Sequence, residues 1–131
     1  MTLREVLHAH IPTLTRESTV RDAVDKMDIY QFPALVVVDE GMAPVAVLTE
    51  GDLCRAAMSQ GNVTGMASEP AYIHGTPEPT TMASETEIGD AFHRMLMSGL
   101  TILPVVDDSR RAGVVLRVDL MQAMLMDIEP A

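Results

Sequence analysis

A stretch of this chain occurs twice, and the repeat limits the fold more than any other feature of the sequence. Residues 11–58 and 79–125 follow the same order at an offset of 68 residues, which falls to 67 after Asp39 and Asp107. Because the matches keep their order throughout, chance similarity is a poor explanation, and two copies of one supersecondary unit are predicted. Thirteen positions are identical to their partners: Thr13, Glu17, Asp22, Ala23, Met27, Leu35, Val37, Val38, Asp39, Val47, Asp52, Leu53 and Ala56.

The length of the chain indicates that the two copies share one core. The chain has 131 residues, of which 47% are hydrophobic, and a unit of about 45 residues is marginal by itself. We therefore expect a first repeat at residues 1–60, a linker at 61–78 and a second repeat at 79–131, together forming one compact module.

Charge and composition exclude several classes of protein. A net charge of −10 with a single lysine argues against binding nucleic acid, and 3% aromatic residues without tryptophan leave no stacking surface for single strands. No stretch approaches the roughly 20 apolar residues of a membrane span, and the N-terminus does not resemble a signal peptide. One cysteine, Cys54, fits a reducing compartment. These features predict a cytoplasmic protein with no membrane partner.

Within each copy the pattern predicts the order helix, strand, strand, helix. Ser18 and Thr86 are the predicted N-caps of the first helices. Each helix then has apolar residues on one face, namely Val20, Ala23, Val24 and Met27 in the first copy and Ile88, Ala91, Phe92 and Met95 in the second.

The apolar runs that follow predict hairpins. Residues 35–38 and 103–106 have the composition of strands buried on both faces, and acidic turns connect them to the runs 45–48 and 113–116. The last helices are predicted to begin near Gly51 and Val118, so that Asp52 and Asp119 lie in their first turns. Two further short helices are expected, at residues 3–9 ahead of the first copy and at residues 63–67 in the linker.

No constellation of residues indicates catalysis or a metal. The histidines His8, His10, His74 and His93 are scattered, and Cys54 lacks a convincing histidine partner. We find no phosphate-binding P-loop and no nucleophile elbow. Several methionines lie on predicted helices, where they form either core or an interface: Met95, Met97, Met121, Met124 and Met126.

The repeated pattern resembles the CBS domain, named after cystathionine β-synthase. The resemblance rests on a helix ending in Met, a strand similar to LPVVD, a turn, and a segment of the form G-h-h-T-x-x-D-L in which h is hydrophobic. It covers nearly the whole chain in tandem. It implies an α+β fold of two β-α-β-β-α repeats, packed through their sheets with pseudo-twofold symmetry. Proteins of this kind are regulatory modules that commonly form homodimers and bind adenosine-containing ligands in clefts between the repeats.

The same resemblance implies the ligand-binding residues. The threonine of the motif meets phosphate and the aspartate accepts hydrogen bonds from the two ribose hydroxyls. The first copy keeps Thr49 and Asp52 but has Ala46 for the glycine and Glu50 beside the threonine. The second copy keeps the glycine and the aspartate but has leucine in place of the threonine, followed by a basic residue: Gly113, Leu116, Arg117 and Asp119. The two clefts are therefore expected to differ.

By the same analogy, Thr13 with Leu14 and Thr81 with Met82 line the adenine. The expected function is a stand-alone regulatory module, not an enzyme, that needs no cofactor, binds AMP, ADP, ATP, NAD or S-adenosylmethionine, and signals through the packing of a homodimer. The acidity of the chain favours AMP, ADP, NAD or S-adenosylmethionine over ATP. A regulated enzyme or transporter in trans is compatible with this function. The alternative is a dimerisation or protein-docking module whose nucleotide motifs have degenerated.

Overall fold

The protein has an α+β fold, described by a computed structural model over residues 1–127. The last four residues of the predicted second repeat lie outside the described residues. Four α-helices and two three-stranded sheets form two compact units. One unit is residues 11–79, and the other combines residues 1–10 with the chain from Thr80 onward. We call them the first-repeat unit and the second-repeat unit.

The first-repeat unit contains two helices and a sheet of order β1-β2-β3. The helices are α1 (Val20–Tyr30) and α2 (Glu50–Gln60), and the strands are β1 (Ala34–Val38), β2 (Pro44–Thr49) and β3 (Thr76–Pro77). Two short 3₁₀ helices complete it, Thr64–Met66 and Ala71–His74. The first of these falls within the short helix expected at residues 63–67.

The second-repeat unit also contains two helices and a three-stranded sheet, of order β4-β5-β6. Its elements are a 3₁₀ helix (Leu3–Glu5), β4 (Met82–Ala83), α3 (Ile88–Met97), β5 (Ile102–Asp107), β6 (Arg110–Leu116) and α4 (Arg117–Asp127). Its third strand, β4, pairs parallel with the first strand of the hairpin, whereas β3 pairs antiparallel with the second strand of its hairpin. The core of the second-repeat unit consists of residues from the 3₁₀ helix, both α-helices and both hairpin strands: Leu3, Ile88, Ala91, Met95, Leu103, Val105, Val115, Leu120 and Ala123.

Both predicted hairpins are confirmed. β1 pairs antiparallel with β2, and β5 pairs antiparallel with β6. Every residue of β1 is buried, as expected for a strand too apolar to alternate. Each hairpin has an irregularity in its register near the turn, between Val37 and Val38 in one unit and between Val105 and Val106 in the other. The two copies therefore share the details of their strand pairing.

The predicted N-caps are each wrong by one residue. Thr19, not Ser18, caps α1: its hydroxyl accepts from the Asp22 N–H at 3.2 Å, and the Asp22 carboxylate accepts from the Thr19 N–H at 2.9 Å. This reciprocal pair requires an acid three residues after the cap, which Ser18 does not have. In the second copy the cap position is Glu87, not Thr86, and its side chain makes no capping hydrogen bond.

The first ten residues belong to the second-repeat unit, in contrast to the expected first repeat at 1–60. The N–H of Leu3 donates to the Thr86 carbonyl at 2.9 Å, and His8 pairs with Val114 of β6. The short helix expected at residues 3–9 is thus a 3₁₀ turn packed with the second copy, because its buried Leu3 has its apolar partners there.

Residues 69–78 mirror this placement in the first-repeat unit. The N–H of Ala71 donates to the Ser18 carbonyl at 2.8 Å, and Thr76 pairs with Val47 of β2. Ala71 and Thr76 are 68 residues after Leu3 and His8, which is the offset of the sequence repeat. Each repeat is therefore preceded in the chain by a segment that completes the sheet of the other repeat. The two segments share no identical residue at this offset, so the sequence comparison did not detect them.

Candidate functional site

The two motif aspartates occupy the same position in the two units. Asp52 and Asp119 are each the third residue of the helix that follows the second strand of the hairpin. Each carboxylate turns back onto the end of that strand: Oδ2 of Asp52 accepts from the Thr49 N–H at 2.9 Å, and Oδ2 of Asp119 accepts from the Leu116 N–H at 2.7 Å. The side chains are only 15% and 18% exposed. Both carboxylates are thus fixed in direction and half-buried.

The second partner of each aspartate differs. In the first-repeat unit, Nη2 of Arg55 donates to Oδ1 of Asp52 at 2.7 Å, so both carboxylate oxygens are occupied. In the second-repeat unit, Nε2 of His8 lies 2.9 Å from Oδ2 of Asp119, the oxygen that already accepts from Leu116. Oδ1 of Asp119 accepts no hydrogen bond from residues 1–127. Within residues 1–127, both carboxylate oxygens of Asp52 therefore accept a hydrogen bond, whereas only Oδ2 of Asp119 has a partner.

Thr49 acts as the N-cap of α2. Its hydroxyl oxygen accepts from the Asp52 N–H at 3.1 Å, which completes a capping box with the aspartate. A hydroxyl that accepts one hydrogen bond still has a proton to donate, so capping and phosphate contact are compatible roles. Leu116, at this position in the second copy, has no hydroxyl and so can neither cap the helix nor donate to a phosphate.

The glycine of the motif has a packing role in this chain. A Cβ added to Gly113 would lie 2.6 Å from Cδ1 of Leu7 and 2.9 Å from the His8 carbonyl oxygen. In the first-repeat unit the tight position is on the opposite segment, where a Cβ on Gly75 would lie 2.7 Å from the Val47 carbonyl oxygen. Ala46 is thus accommodated because Gly75 provides the close approach.

The residues expected around adenine lie on the far edge of each sheet. Leu14 is buried and bridges to Val37 of β1, its N–H donating to the Val36 carbonyl at 2.9 Å and its carbonyl accepting from the Val38 N–H at 2.8 Å. Met82 pairs with Val105 of β5. Because neighbouring strands are about 4.8 Å apart, Leu14 is about 10 Å across the sheet from β2. Thr13 and Thr81 are half-buried beside them.

The charged residues next to the motif are exposed at the helix starts. Glu50 is the first residue of α2 and Arg117 is the first residue of α4. The sequence analysis did not identify the two aspartate partners, Arg55 and His8. Arg55 was detectable, since it is three residues from Asp52 on one helix. His8 was not, because 111 residues separate it from Asp119.

No group of three or more candidate metal ligands occurs in the described part of the chain. Within the same residues, none of the helices has the length and apolar character needed to cross a membrane.

The family model for the CBS domain matches the chain twice, at residues 3–59 and 72–126. The chain belongs to the CBS domain family. Among curated proteins, it is 28% identical over 108 residues to an uncharacterized 17.7 kDa protein from Acidianus ambivalens, with 82% of this chain and 63% of that protein covered. The chain spans about three fifths of the length of the curated relatives it matches.

Solved CBS-pair structures share the fold. CBSX2 from Arabidopsis thaliana matches with a TM-score of 0.86 and 22% identity, covering 99% of this chain and 98% of that chain. A further structure of CBSX2 is a complex with AMP. The CBS-domain pair of protein MJ0100, solved with 5′-methylthioadenosine and S-adenosyl-L-methionine, matches with a TM-score of 0.80 and 19% identity, covering 97% of this chain and 98% of that chain.

Proposed function

We propose that this protein is a regulatory CBS-pair module that binds an adenosine-containing ligand, with the Asp52 and Asp119 carboxylates as acceptors for the ribose hydroxyls. The observation that carries the proposal is the recurrence of one half-buried, directed carboxylate at the same helix position in both units. The AMP complex of CBSX2 and the S-adenosyl-L-methionine complex of MJ0100 support this ligand class. In this proposal the protein has no catalytic activity and requires no cofactor.

The chemistry of the ligand fits a fixed carboxylate. A ribose presents two hydroxyl donors at a fixed separation, and hydrogen bonds to an ionised acceptor are about twice as strong as neutral ones. The backbone N–H and carbonyl of Leu14 are already engaged by β1, so in the first repeat Thr13 is the better candidate for contact with the adenine edge. Thr81 and Met82 have the corresponding role in the second repeat.

We expect the second repeat to provide the stronger site. Within residues 1–127, Oδ1 of Asp119 accepts no hydrogen bond, whereas a ligand at Asp52 competes with Arg55 for Oδ1. Arg117 also adds a cation beside the second site, where the first has Glu50. An adenine ligand with one phosphate, AMP, suits this arrangement best, because a chain of net charge −10 repels a more highly charged nucleotide.

Calorimetric titration and thermal unfolding with AMP, ADP, ATP, NAD and S-adenosylmethionine test the proposal. A ligand at 100 times its Kd stabilises the folded state by about 2.7 kcal/mol. We expect Asp119→Asn to abolish the stronger binding event and Asp52→Asn to abolish the weaker one. Asp90→Asn, which removes an exposed acid from the first turn of α3, is the matched control and should leave both unchanged. Absence of heat and of any melting shift with all five ligands would refute the proposal.

The regulatory proposal includes a homodimer in the cytoplasm that acts on an enzyme or transporter in trans. The alternative, a docking module without a ligand, is favoured by the exposed apolar side chains on the helices, which include Met97, Met121 and Leu125. The two are distinguished by the titrations above, since a pure docking module binds none of the nucleotides.

A further inference from the structure

The segment that carries His8 is held to the second-repeat unit by its backbone. The His8 N–H donates to the Val114 carbonyl at 2.8 Å, and the Val114 N–H donates back to the His8 carbonyl at 3.2 Å. Gly113 permits this close approach, because a Cβ there would lie 2.9 Å from the His8 carbonyl oxygen. Nη1 of Arg111 also donates to the Ala9 carbonyl at 3.3 Å. The backbone of His8 is therefore fixed relative to β6.

The imidazole of His8 is a well-ordered donor to Asp119. Nε2 of His8 lies 2.9 Å from Oδ2 of Asp119, and because an ionised carboxylate only accepts hydrogen bonds, Nε2 carries the proton. The side chain of His8 is 31% exposed, against 73% for Arg55, which has the corresponding place beside Asp52. A shorter side chain loses less rotamer freedom than an arginine when it holds a carboxylate. His8 is thus the better ordered of the two partners.

Two donors on one oxygen set the direction of the Asp119 carboxylate. Oδ2 accepts from the Leu116 N–H at 2.7 Å in addition to the contact with His8. With the Leu116 N–H alone, the carboxylate could turn about that single hydrogen bond. With both donors in place, Oδ1 keeps one orientation. A ligand hydroxyl that meets Oδ1 then does not have to order the carboxylate, which is the usual gain from preorganisation.

The first-repeat unit has a different residue at the place of His8. Thr76 follows His8 by the repeat offset of 68 residues and pairs with β2 as His8 pairs with β6. Thr76 is exposed. The Asp52 carboxylate takes its donors from its own stretch of chain instead, from Thr49 and Arg55. Within residues 1–127, the preceding segment therefore contacts the motif aspartate in the second-repeat unit and not in the first.

We propose that His8 is a positioning residue for the ligand at Asp119, and that binding there is coupled to the docking of residues 1–10. This inference rests on the proposed function and extends it to a segment outside the sequence motif. A carboxylate that His8 holds in place binds the ribose more tightly. By reciprocity, bound ligand strengthens the docking of residues 1–10 by the same factor. The N-terminal segment is thus the part of the second-repeat unit that responds to the ligand.

Substitutions at His8 test the positioning role by calorimetry with AMP, in an Asp52→Asn background that retains the second site. His8→Ala should weaken AMP binding about fivefold, the loss expected for one hydrogen bond. His8→Gln, whose amide can donate to the same oxygen, should restore the affinity to within about twofold. Thr76→Ala, at the equivalent place in the first-repeat unit, is the matched control and should have no effect. Thermal unfolding by circular dichroism verifies that each variant is folded.

Hydrogen exchange in the same background tests the coupling. AMP should slow exchange of the residue 8 amide, which donates to the Val114 carbonyl, more than exchange of the Leu14 amide, which donates to the Val36 carbonyl in the first-repeat unit. This difference should disappear in His8→Ala and return in His8→Gln. Equal slowing at both amides in every variant would contradict the coupling.

The titrations separate this inference from the proposed function. If Asp119→Asn abolishes AMP binding while His8→Ala leaves it unchanged or strengthens it, the inference is overturned and the proposed function is retained. An equal loss in His8→Ala and His8→Gln would also overturn it, because the donor would then not determine the affinity. Absence of AMP binding in the Asp52→Asn protein would overturn the inference as well, whereas the proposed function fails only if the other four ligands also give no binding to the unmodified protein.

Discussion

The first-repeat and second-repeat units share the order helix, strand, strand, helix, yet they place different partners on the equivalent aspartate. In the first unit the partner is Arg55, from the same helix as Asp52; in the second it is His8, from the far end of the chain. The backbone hydrogen bond to each carboxylate is conserved between the units, with lengths of 2.9 and 2.7 Å. The comparison shows that a repeat preserves the direction of a side chain more closely than its chemical surroundings.

The largest expected effect tests which unit the first ten residues pack in. Leu3 is fully buried in the core of the second-repeat unit, so Leu3→Ala should destabilise the protein by about 3 kcal/mol. Hydrogen exchange should increase in α3, β5 and β6 and remain unchanged in α1, β1 and β2. Leu14→Ala is the matched variant for the other unit, since Leu14 is equally buried there, and it should give the opposite pattern. Loosening of α1 by Leu3→Ala would contradict the assignment.

A smaller effect is expected at the tightly packed glycines, which differ in position between the units. Gly113 lies on β6, whereas Gly75 lies just before β3, on the segment that pairs with β2. Gly113→Ala puts a Cβ against Leu7 and the His8 carbonyl, and should cost about 2 kcal/mol as an overpacked site. The nearest atom is the end of the Leu7 side chain, so combining the change with Leu7→Ala should recover part of this loss in urea unfolding. Equal losses in the single and double variants would show that the backbone contact with His8, and not Leu7, sets the limit.

The difference between the two aspartates should appear as a several-fold change in ligand affinity. The Arg55–Asp52 ion pair involves a side chain that is 73% exposed, and such pairs are worth about 0–1 kcal/mol. In an Asp119→Asn background, Arg55→Ala should therefore tighten AMP binding about threefold by freeing Oδ1 of Asp52. Calorimetry measures the affinity, and Arg21→Ala, at an exposed arginine on α1, serves as the control. Weaker binding in Arg55→Ala would mean that the arginine contacts the ligand.

The smallest effect concerns the start of α1. The Asp22 carboxylate accepts a hydrogen bond from the cap residue there, whereas the side chain of Glu87, the cap residue of α3, makes no capping hydrogen bond. The Thr19 N–H, and to a lesser extent the Thr19 hydroxyl, holds the pKa of Asp22 below its ordinary value of 3.8. The unfolded chain therefore takes up the proton first. The stabilisation is complete above that value and is lost as the pH falls through the folded-state pKa.

Asp22→Asn should accordingly make acid unfolding less dependent on pH below about pH 4, as monitored by circular dichroism. Asp90→Asn, at the same position of α3, should leave the acid transition where it is in the unmodified protein. If both variants shift the transition equally, the capping hydrogen bonds at Thr19 do not cause the pH dependence.

The sequence predicted what depends on local pattern. The periodicity of Val20, Ala23 and Met27 located α1, and the acidic turns located both hairpins. It also located Asp52 and Asp119 in the first turns of α2 and α4, because their motif is contiguous. It did not predict the His8 contact or the reason for Gly113, because both depend on the pairing of residues 7–9 with β6, more than 100 residues away. The caps were wrong by one residue, since adjacent hydroxyls such as Ser18 and Thr19 differ only in whether an acid follows three residues later.

The reciprocal placement of residues 1–10 and 69–78 has a consequence for synthesis on the ribosome. The first-repeat unit is continuous in the chain and is complete once residue 79 has emerged. The second-repeat unit is discontinuous: its first ten residues are made first but find their strand partner only after β6 has been synthesised. Residues 1–10 must therefore wait through more than 100 positions of elongation, with the apolar Leu3 and Leu7 uncovered. A cut after residue 79 would keep every residue of the first unit on one fragment and would divide the second unit between two fragments.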